Sequence, residues 1–153
     1  MNVNVPQNRN EFPTHALTFH APWAWAVVQG IKTVENRKWA TQHRGTIFIH
    51  AGRSCESDVS ARELLTRWGA KPPSEFARGM IIGTVDVVDV LPLDQYLRKF
   101  FNQPHLHEMA IGPWCWVLAN PRICDPVRHA GNFQLWPVSL PDERFRFIEQ
   151  INQ

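Results

Sequence analysis

Residues 20–52 constrain the fold more than any other part of the chain, because they require a helix and two strands in quick succession. Pro22 is tolerated in the first turn of a helix and Gly30 is typical of a helix end, so the apolar stretch between them predicts a short helix. Residues 33–39 then alternate as one strand, and residues 46–51 follow as a second, more apolar strand. Charged side chains cluster at the junction of the helix and the first strand, which favours a ligand cleft over a solvated surface.

The rest of the chain predicts more strands than helices. Further strands are predicted over residues 15–20, 79–91, 112–119 and 134–140, with helices over 55–68, 94–101 and 142–151 and a loop over 102–111. Gly83 interrupts the longest strand and indicates a bulge or a barrel corner. Asn120-Pro121 and Asp125-Pro126 are expected to break the chain that follows the strand over residues 112–119. With no βαβ rhythm and no internal repeat, this order of elements predicts a small α+β domain resembling a β-barrel.

Length and composition indicate one globular domain. A chain of 153 residues can bury a core without disulfide bonds or metal ions. Residues 1–13 are polar and show little periodicity, so they are predicted to form a flexible tail, and residues 14–153 to form the domain. No apolar run is long enough to span a membrane and the first residues lack the features of a signal peptide, so no membrane association is expected.

The cysteines and histidines give no sign of a metal or cofactor. Three cysteines, an odd number without a Cys-x-x-Cys pair, indicate reduced thiols and a cytoplasmic protein. The chain carries no P-loop and no dinucleotide-binding glycine motif. The sequence His105-x-His107-Glu108 does not match the spacing of zinc sites and is interpreted as a surface loop. We therefore expect neither a metal nor a cofactor.

Positive charge is concentrated near the junction of the helix and the first strand. Residues 32–53 contain five Lys or Arg and one Glu, whereas the rest of the chain holds eleven Lys or Arg against thirteen Asp or Glu. This distribution favours an anionic partner for the segment. The alternative is a basic stripe that only solvates one face of the domain.

Lys32, Glu35 and Arg37 are the residues of this segment best suited to chemistry. Glu35 and Arg37 lie two residues apart on one face of the predicted strand, close enough to pair. Such a pair presets a guanidinium for a phosphate or a base edge, and a partly desolvated Lys32 is able to act as a base or a nucleophile. The alternative is an ion-pair network with a purely structural role.

Residues 30–37, GIKTVENR, combine a glycine, a lysine, a glutamate and an arginine at a distinctive spacing. They are accompanied, in this order, by the segments HAPWAWAVVQ, RGTIFIHAG, GMIIGTVDVVDV, GPWCWVLANPR and QLWPV. Together these segments, which cover most of residues 15–140, resemble the ASCH domain family of the PUA-like superfamily, whose signature is G-x-K-x-x-E-x-R. The resemblance implies a PUA-like barrel of five or six strands with short flanking helices. It also implies a cleft that binds RNA or a nucleotide-like ligand, such as a modified nucleoside.

The resemblance also implies a hydrolase as an alternative, with Lys32 and Glu35 as the candidate catalytic residues. Some relatives are amidohydrolases that deacylate modified cytidine with a Lys, a Thr three residues later and a distant Glu. Lys32 matches that lysine, but Glu35 stands where the threonine would be, so the triad is incomplete. Another relative is described as a ribonuclease, and a lysine in a cleft suits phosphodiester chemistry. Binding is therefore favoured over catalysis, and a protein-interaction domain is the third alternative.

Three further residues are candidates for contacts with the ligand. Trp23 lies at the helix start, where an indole is able to stack on a base, although most tryptophans of a small barrel are core residues. Asp86 interrupts an apolar strand, so it is expected either to complement Lys32 or Arg37 or to lie at a solvent-facing edge. His50 ends a strand near the motif and suits either a phosphate contact or a structural hydrogen bond.

Overall fold

One curled sheet organises residues 13–140 and 145–148, the parts of the chain that this computed structural model describes. Its strands are β1 (His15–Phe19), β2 (Val34–Arg37), β3 (Gly45–Ala51), β4 (Met80–Pro92), β5 (Trp114–Arg128) and β6 (Leu135–Pro137). They lie in the order β2-β5-β4-β3-β1-β6, with β1 parallel to β3 and every other pair antiparallel. The helices of the described part are α1 (Ala21–Val28), α2 (Asp58–Arg67), α3 (Leu93–Lys99) and α4 (Pro104–Met109). The α+β class and the number of strands agree with the prediction.

Both faces of β3 are buried, and each face contributes to a different apolar cluster. Ile47 and Ile49 belong to the main core together with α1, whereas Phe48 packs into a smaller cluster with Trp136. This alternation follows from the two-residue period of a strand. Six of the eight residues of α1 are buried, so packing against the sheet, rather than helix propensity, holds this short helix in place.

Gly83 marks a bulge in β4, as predicted. The register with both neighbouring strands shifts close to this residue. A Cβ atom at this position would overlap the carbonyl oxygen of Arg122 and would lie 2.8 Å from Cγ1 of Val28. Glycine is therefore required here because β5 and α1 both approach the backbone of β4 closely.

The expected end of β5 at residue 119 is wrong, because the strand continues through both proline dipeptides to Arg128. Pro121 and Pro126 lie at positions where the register between β4 and β5 shifts, so neither has a partner residue on β4. On its other edge β5 pairs with β2 only through residues 114–117. The missing N–H groups therefore cost the sheet no ladder hydrogen bond.

Two other predictions of secondary structure differ from the structure. Residues 102–111, predicted as a loop, contain α4. Of the helix predicted over residues 142–151 the structure describes only residues 145–148, which are not helical, and Phe147 forms an isolated antiparallel bridge with Cys124. The predicted boundary between a tail and the domain at residue 13 stays a prediction, because residues 1–12 lie outside the described part. None of the described helices is long and apolar enough to cross a membrane.

Substitution of Gly83 by alanine is expected to destabilise the fold by about 1–3 kcal/mol or more, because the added methyl group overpacks a closed backbone contact. Gly69→Ala is the control: nothing lies within 4 Å of its Cβ position, and its positive φ of 83° alone should cost about 1–2 kcal/mol. Urea unfolding of the two variants gives the comparison. A Gly83→Ala variant as stable as the wild type would contradict the close approach of β5.

Candidate functional site

Lys32, Glu35 and Arg37 form one ion network at the junction of α1 and β2. Nζ of Lys32 lies 3.4 Å from Oε2 of Glu35, and Nε of Arg37 lies 3.3 Å from Oε1 of the same carboxylate. The side chains of Lys32, Glu35 and Arg37 are 5%, 12% and 20% exposed. Two cations therefore share one carboxylate in a largely desolvated place, and the network carries a net charge of +1. We call these three residues the motif network.

The turn after α1 aims the lysine into this network. Ile31 and Lys32 both donate their backbone N–H to the carbonyl of Ala26, at 2.9 and 3.1 Å. Gly30 adopts a φ of +75°, which is the conformation that lets the chain leave a helix in this way. Nζ of Lys32 then folds back to donate to the carbonyl of Val34 as well as to Glu35. The alternation of β2 places Glu35 and Arg37 on one face, as predicted.

Aromatic rings cover both cations of the motif network. Nζ of Lys32 lies 5.5 Å from the ring centre of Trp23, and Cζ of Arg37 lies 5.4 Å from the ring centre of Phe19. The half-buried ring of Trp23 also lies 6.0 Å from that of Trp68. Cation–π attraction at these distances stabilises a cation that has lost water. Trp23 therefore belongs to the site, where it covers the lysine.

Arg37 also connects the two ends of the curled sheet. Its Nη2 donates to the carbonyl oxygen of Thr18 on β1, at 2.7 Å, although β2 and β1 are separated by three strands in the sheet order. This carbonyl is accessible to Arg37 at the end of β1 because the pairing of β1 with β6 stops at Leu17. Nε of Arg37 is buried and has no hydrogen-bond partner among the described residues. Nη1, unlike Nε, is not buried and makes no hydrogen bond with a described residue, so the donors that the described protein leaves free to a ligand are those of Nη1.

His50 lies in a second hydrogen-bond chain, which begins at the same Thr18. Nε1 of Trp136 donates to Oγ1 of Thr18 at 3.2 Å, and this hydroxyl lies 3.1 Å from Nδ1 of His50. Nε2 of His50 lies 2.7 Å from the carbonyl oxygen of His129. Because a carbonyl only accepts, Nε2 carries the proton and Nδ1 accepts from the threonine. Burial lowers the pKa of His50, so the neutral ring is the stable form in this chain.

The structure does not bring Asp86 into the motif network. One oxygen of this carboxylate accepts from Oγ1 of Thr46 at 2.6 Å, and the other accepts from Nδ2 of Asn120 at 3.0 Å. Neither Lys32 nor Arg37 is among its hydrogen-bond or ion-pair partners in the described residues. Asp86 therefore pairs with polar neighbours on β3 and β5 and does not complement Lys32 or Arg37.

Sequence patterns did not identify several residues that build the site. Thr18 and Phe19 end β1 beside Arg37, while Trp136 and His129 complete the chain around His50. All four depend on contacts between segments that are far apart in sequence. Asn36 is another: it accepts from the N–H groups of residues 111 and 112 at 2.8 and 2.9 Å and so ties β2 to the segment after α4. Within the described residues, no group of three or more His, Cys, Asp or Glu is arranged to hold a metal ion.

Comparison with known proteins decides the family. Residues 17–128 match the family model of the ASCH domain. The chain belongs to the ASCH domain family. It is 30% identical over 129 residues to activating signal cointegrator 1 of Homo sapiens and of Mus musculus, with 78% of the chain aligned. The alignment covers 21% of each relative, so the chain spans about a fifth of the length of these curated proteins.

Solved structures of ASCH proteins share the fold. The crystal structure of ASCH from Zymomonas mobilis aligns with a TM-score of 0.50 and 14% identity, over 84% of this chain and 88% of that one. A mutant of the Zymomonas mobilis protein aligns with a TM-score of 0.51 and 13% identity, over 82% and 89%. The predicted PUA-like α+β architecture is thereby confirmed.

Removal of the shared carboxylate should destabilise the ASCH domain strongly. Glu35→Ala leaves Lys32 and Arg37 together in a largely buried place without their anion, and we expect a loss of about 3–5 kcal/mol. Asp94→Ala is the control, because its ion pair with Arg98 is 73% exposed on both sides and should contribute less than about 0.5 kcal/mol. Denaturant unfolding measures both. Equal losses in the two variants would contradict the buried network.

Stability should fall in mild acid because of His50. Its pKa is lowered in the folded state, so the unfolded chain binds more protons below the ordinary value of 6.5, and the free energy of unfolding decreases as the pH falls. His43, whose pKa is also lowered by burial, contributes in the same range. We expect His50→Gln and His43→Gln each to flatten the pH dependence of the free energy of unfolding between about pH 7.5 and about pH 5.5. Urea unfolding across this range tests it; an unchanged slope in His50→Gln would refute the assignment.

Proposed function

We propose that this ASCH domain binds RNA or a nucleotide-like ligand at the motif network of Lys32, Glu35 and Arg37, beside Trp23. The observation that carries the proposal is the net positive charge of a largely desolvated network whose guanidinium keeps unused donors. A phosphate or a base edge is the kind of group that such a guanidinium recognises. Membership of the ASCH family supports the same ligand class, because the resemblance implies a cleft for RNA or nucleotides.

A purely structural role would explain the motif network less well. Two cations and one carboxylate are costly to desolvate, and apolar residues of similar volume often stabilise a core more than a buried ion network does. The network also contains one cation more than its carboxylate neutralises. An anionic ligand would balance this charge. Desolvated charge that is fixed in position and left in excess is typical of binding sites.

Each residue has a distinct part in the proposed site. Arg37, the most exposed of the three at 20%, would make the direct contact with the anion. Glu35 holds Nε of Arg37 and Nζ of Lys32 in position, and Lys32 adds positive charge from behind. Trp23 covers the lysine and, being half-buried, offers the remainder of its ring to a base. His50 would act through Thr18, which it shares with Arg37.

Hydrolysis is the second candidate function, and the geometry supports it less. A base or nucleophile must reach its substrate, whereas Nζ of Lys32 is directed at the carbonyl of Val34 and at Glu35 in a side chain only 5% exposed. Glu35 itself is held between two cations. The arrangement suits the recognition of charge better than proton transfer, and we therefore place binding first.

Arg37→Ala should weaken the binding of single-stranded RNA by about tenfold or more, because a charged hydrogen bond to the ligand is lost. Lys38→Ala is the matched control: Lys38 is the next residue, lies just beyond the end of β2, is exposed and makes no hydrogen bond or ion pair with a described residue. Fluorescence anisotropy with labelled RNA measures both, and a melting curve verifies that each variant is folded. Arg37→Lys serves as a second variant if Arg37→Ala unfolds. Wild-type affinity in folded Arg37 variants would refute the proposal.

The hydrolase alternative is tested with Lys32→Met, which keeps much of the side-chain volume and removes the amine. Wild type and variant are incubated with labelled RNA and with acylated nucleosides, with and without a divalent metal. Binding without turnover is the expected result. Turnover by the wild type that disappears in Lys32→Met would establish the hydrolase instead.

A further inference from the structure

Three segments converge beside the motif network and carry only positive charge. They are residues 50–53, 78–80 and 128–133, which contain three arginines, two histidines and no Asp or Glu. Gly79 joins them, because its N–H donates to Ala51 at 2.7 Å and its carbonyl accepts from the N–H of His129 at 3.1 Å. His50 adds the contact with the carbonyl of His129 at 2.7 Å. We call these three segments the basic rim.

Arg53, like Arg128, is an exposed cation of the basic rim without a partner in the described residues. Its side chain is exposed and forms no hydrogen bond or ion pair with any described residue, and its guanidinium lies over Gly79, where a Cβ atom would be 2.9 Å from Nε. Arg78, by contrast, is paired with Asp58 and donates to the carbonyl of Ser54. An exposed guanidinium with all its donors free is suited to a phosphate.

Phe133 is the exposed aromatic residue of the basic rim. It is 91% exposed, the highest value among the large apolar side chains that the structure describes. Its loop is nevertheless held at both ends. Gly131 packs so closely on His50 that a Cβ atom would lie 2.8 Å from Cε1 of the imidazole, and Leu135 pairs with Leu17. An exposed aromatic ring on an anchored loop, in a group of segments that also carries unpaired positive charge, is typical of a stacking platform for a base.

The basic rim adjoins the motif network at Thr18. The carbonyl of this residue accepts from Arg37, and its hydroxyl lies 3.1 Å from His50, whose other nitrogen contacts His129. One residue of β1 therefore separates the anion-binding guanidinium from the rim. A nucleic-acid strand bound at Arg37 would therefore have a second positive and aromatic surface beside it.

We propose that Arg53 and Phe133 extend the ligand site, so that it takes a single-stranded RNA segment of several nucleotides rather than a mononucleotide. Arg53 contacts a backbone phosphate, and Phe133 stacks on a base. The inference rests on the proposed function, because the motif network supplies the first contact. The opposite charges of rim and backbone, together with the exposed ring, favour a nucleic-acid strand over a protein partner.

Phe133→Ala tests the stacking contact. We expect it to weaken the binding of a labelled twelve-nucleotide oligouridylate by about fivefold or more, the lower bound for the loss of one base–aromatic stack. Competition by uridine monophosphate should stay unchanged, since this small ligand reaches only the motif network. Phe133→Trp should retain the affinity. Phe101→Ala, which removes another exposed phenylalanine at 69%, is the matched control and should bind as the wild type does.

Arg53→Ala tests the phosphate contact. The dependence of log affinity on log salt concentration should become shallower by about 0.7, as expected for one phosphate contact to a single strand. Lys71→Ala is the control, because Lys71 is exposed and makes no ion pair with the described residues. Both residues are exposed, so the melting temperatures should match that of the wild type.

The outcomes separate this inference from the proposed function. If Arg37→Ala loses RNA binding while Phe133→Ala and Arg53→Ala bind as the wild type does, the extension is overturned and the motif site stands. Equal affinity of the wild type for uridine monophosphate and for the oligonucleotide also overturns the extension. If only the rim variants lose affinity, the strand does not start at the motif network, and both proposals fail as stated.

Discussion

The contact between Arg37 and Thr18 is the constraint on which the geometry of the site depends. It joins β2, at one edge of the sheet order, to β1, which lies beside the other edge, at a distance of 2.7 Å. The same guanidinium is positioned by Glu35, which also holds Lys32. The same guanidinium therefore both links the two ends of the curled sheet and belongs to the charged network. A change that weakens the ion network loosens both.

Local sequence patterns predicted the parts of the fold that depend on side-chain alternation along a strand or on a glycine. The faces of β3, the bulge at Gly83 and the shared face of Glu35 and Arg37 all follow from side-chain direction and from the special backbone of glycine. Trp23, Lys32, Glu35 and Arg37 were also named from the sequence alone, and the structure brings these four together.

The parts that sequence did not predict depend on partners that are distant in the chain. Pro121 and Pro126 stay in β5 because register shifts leave them unpaired, and no local pattern reports a register. The six residues of α4 are too few to show a periodicity. The end of this helix is held by Asn36 on β2, whose Nδ2 donates to the carbonyl oxygen of Met109 at 3.0 Å. The carboxylate of Asp86 was a plausible partner for the cations, but its two oxygens are occupied by Thr46 and Asn120.

Thr18 connects Arg37 with the loop that follows β5. Its carbonyl faces Arg37, and its hydroxyl faces His50, whose ring contacts the backbone of His129. Burial lowers the pKa of His50, which favours the neutral ring. The neutral ring preserves the donor and acceptor roles in the hydrogen bonds to Thr18 and His129. If the proposed ligand pulled Arg37 away from Thr18 it would disturb β1, whereas a ligand that used only Nη1 of Arg37 would leave these hydrogen bonds in place. The second mode would require no rearrangement, and under the proposed function such a preorganised site would bind at the lower cost.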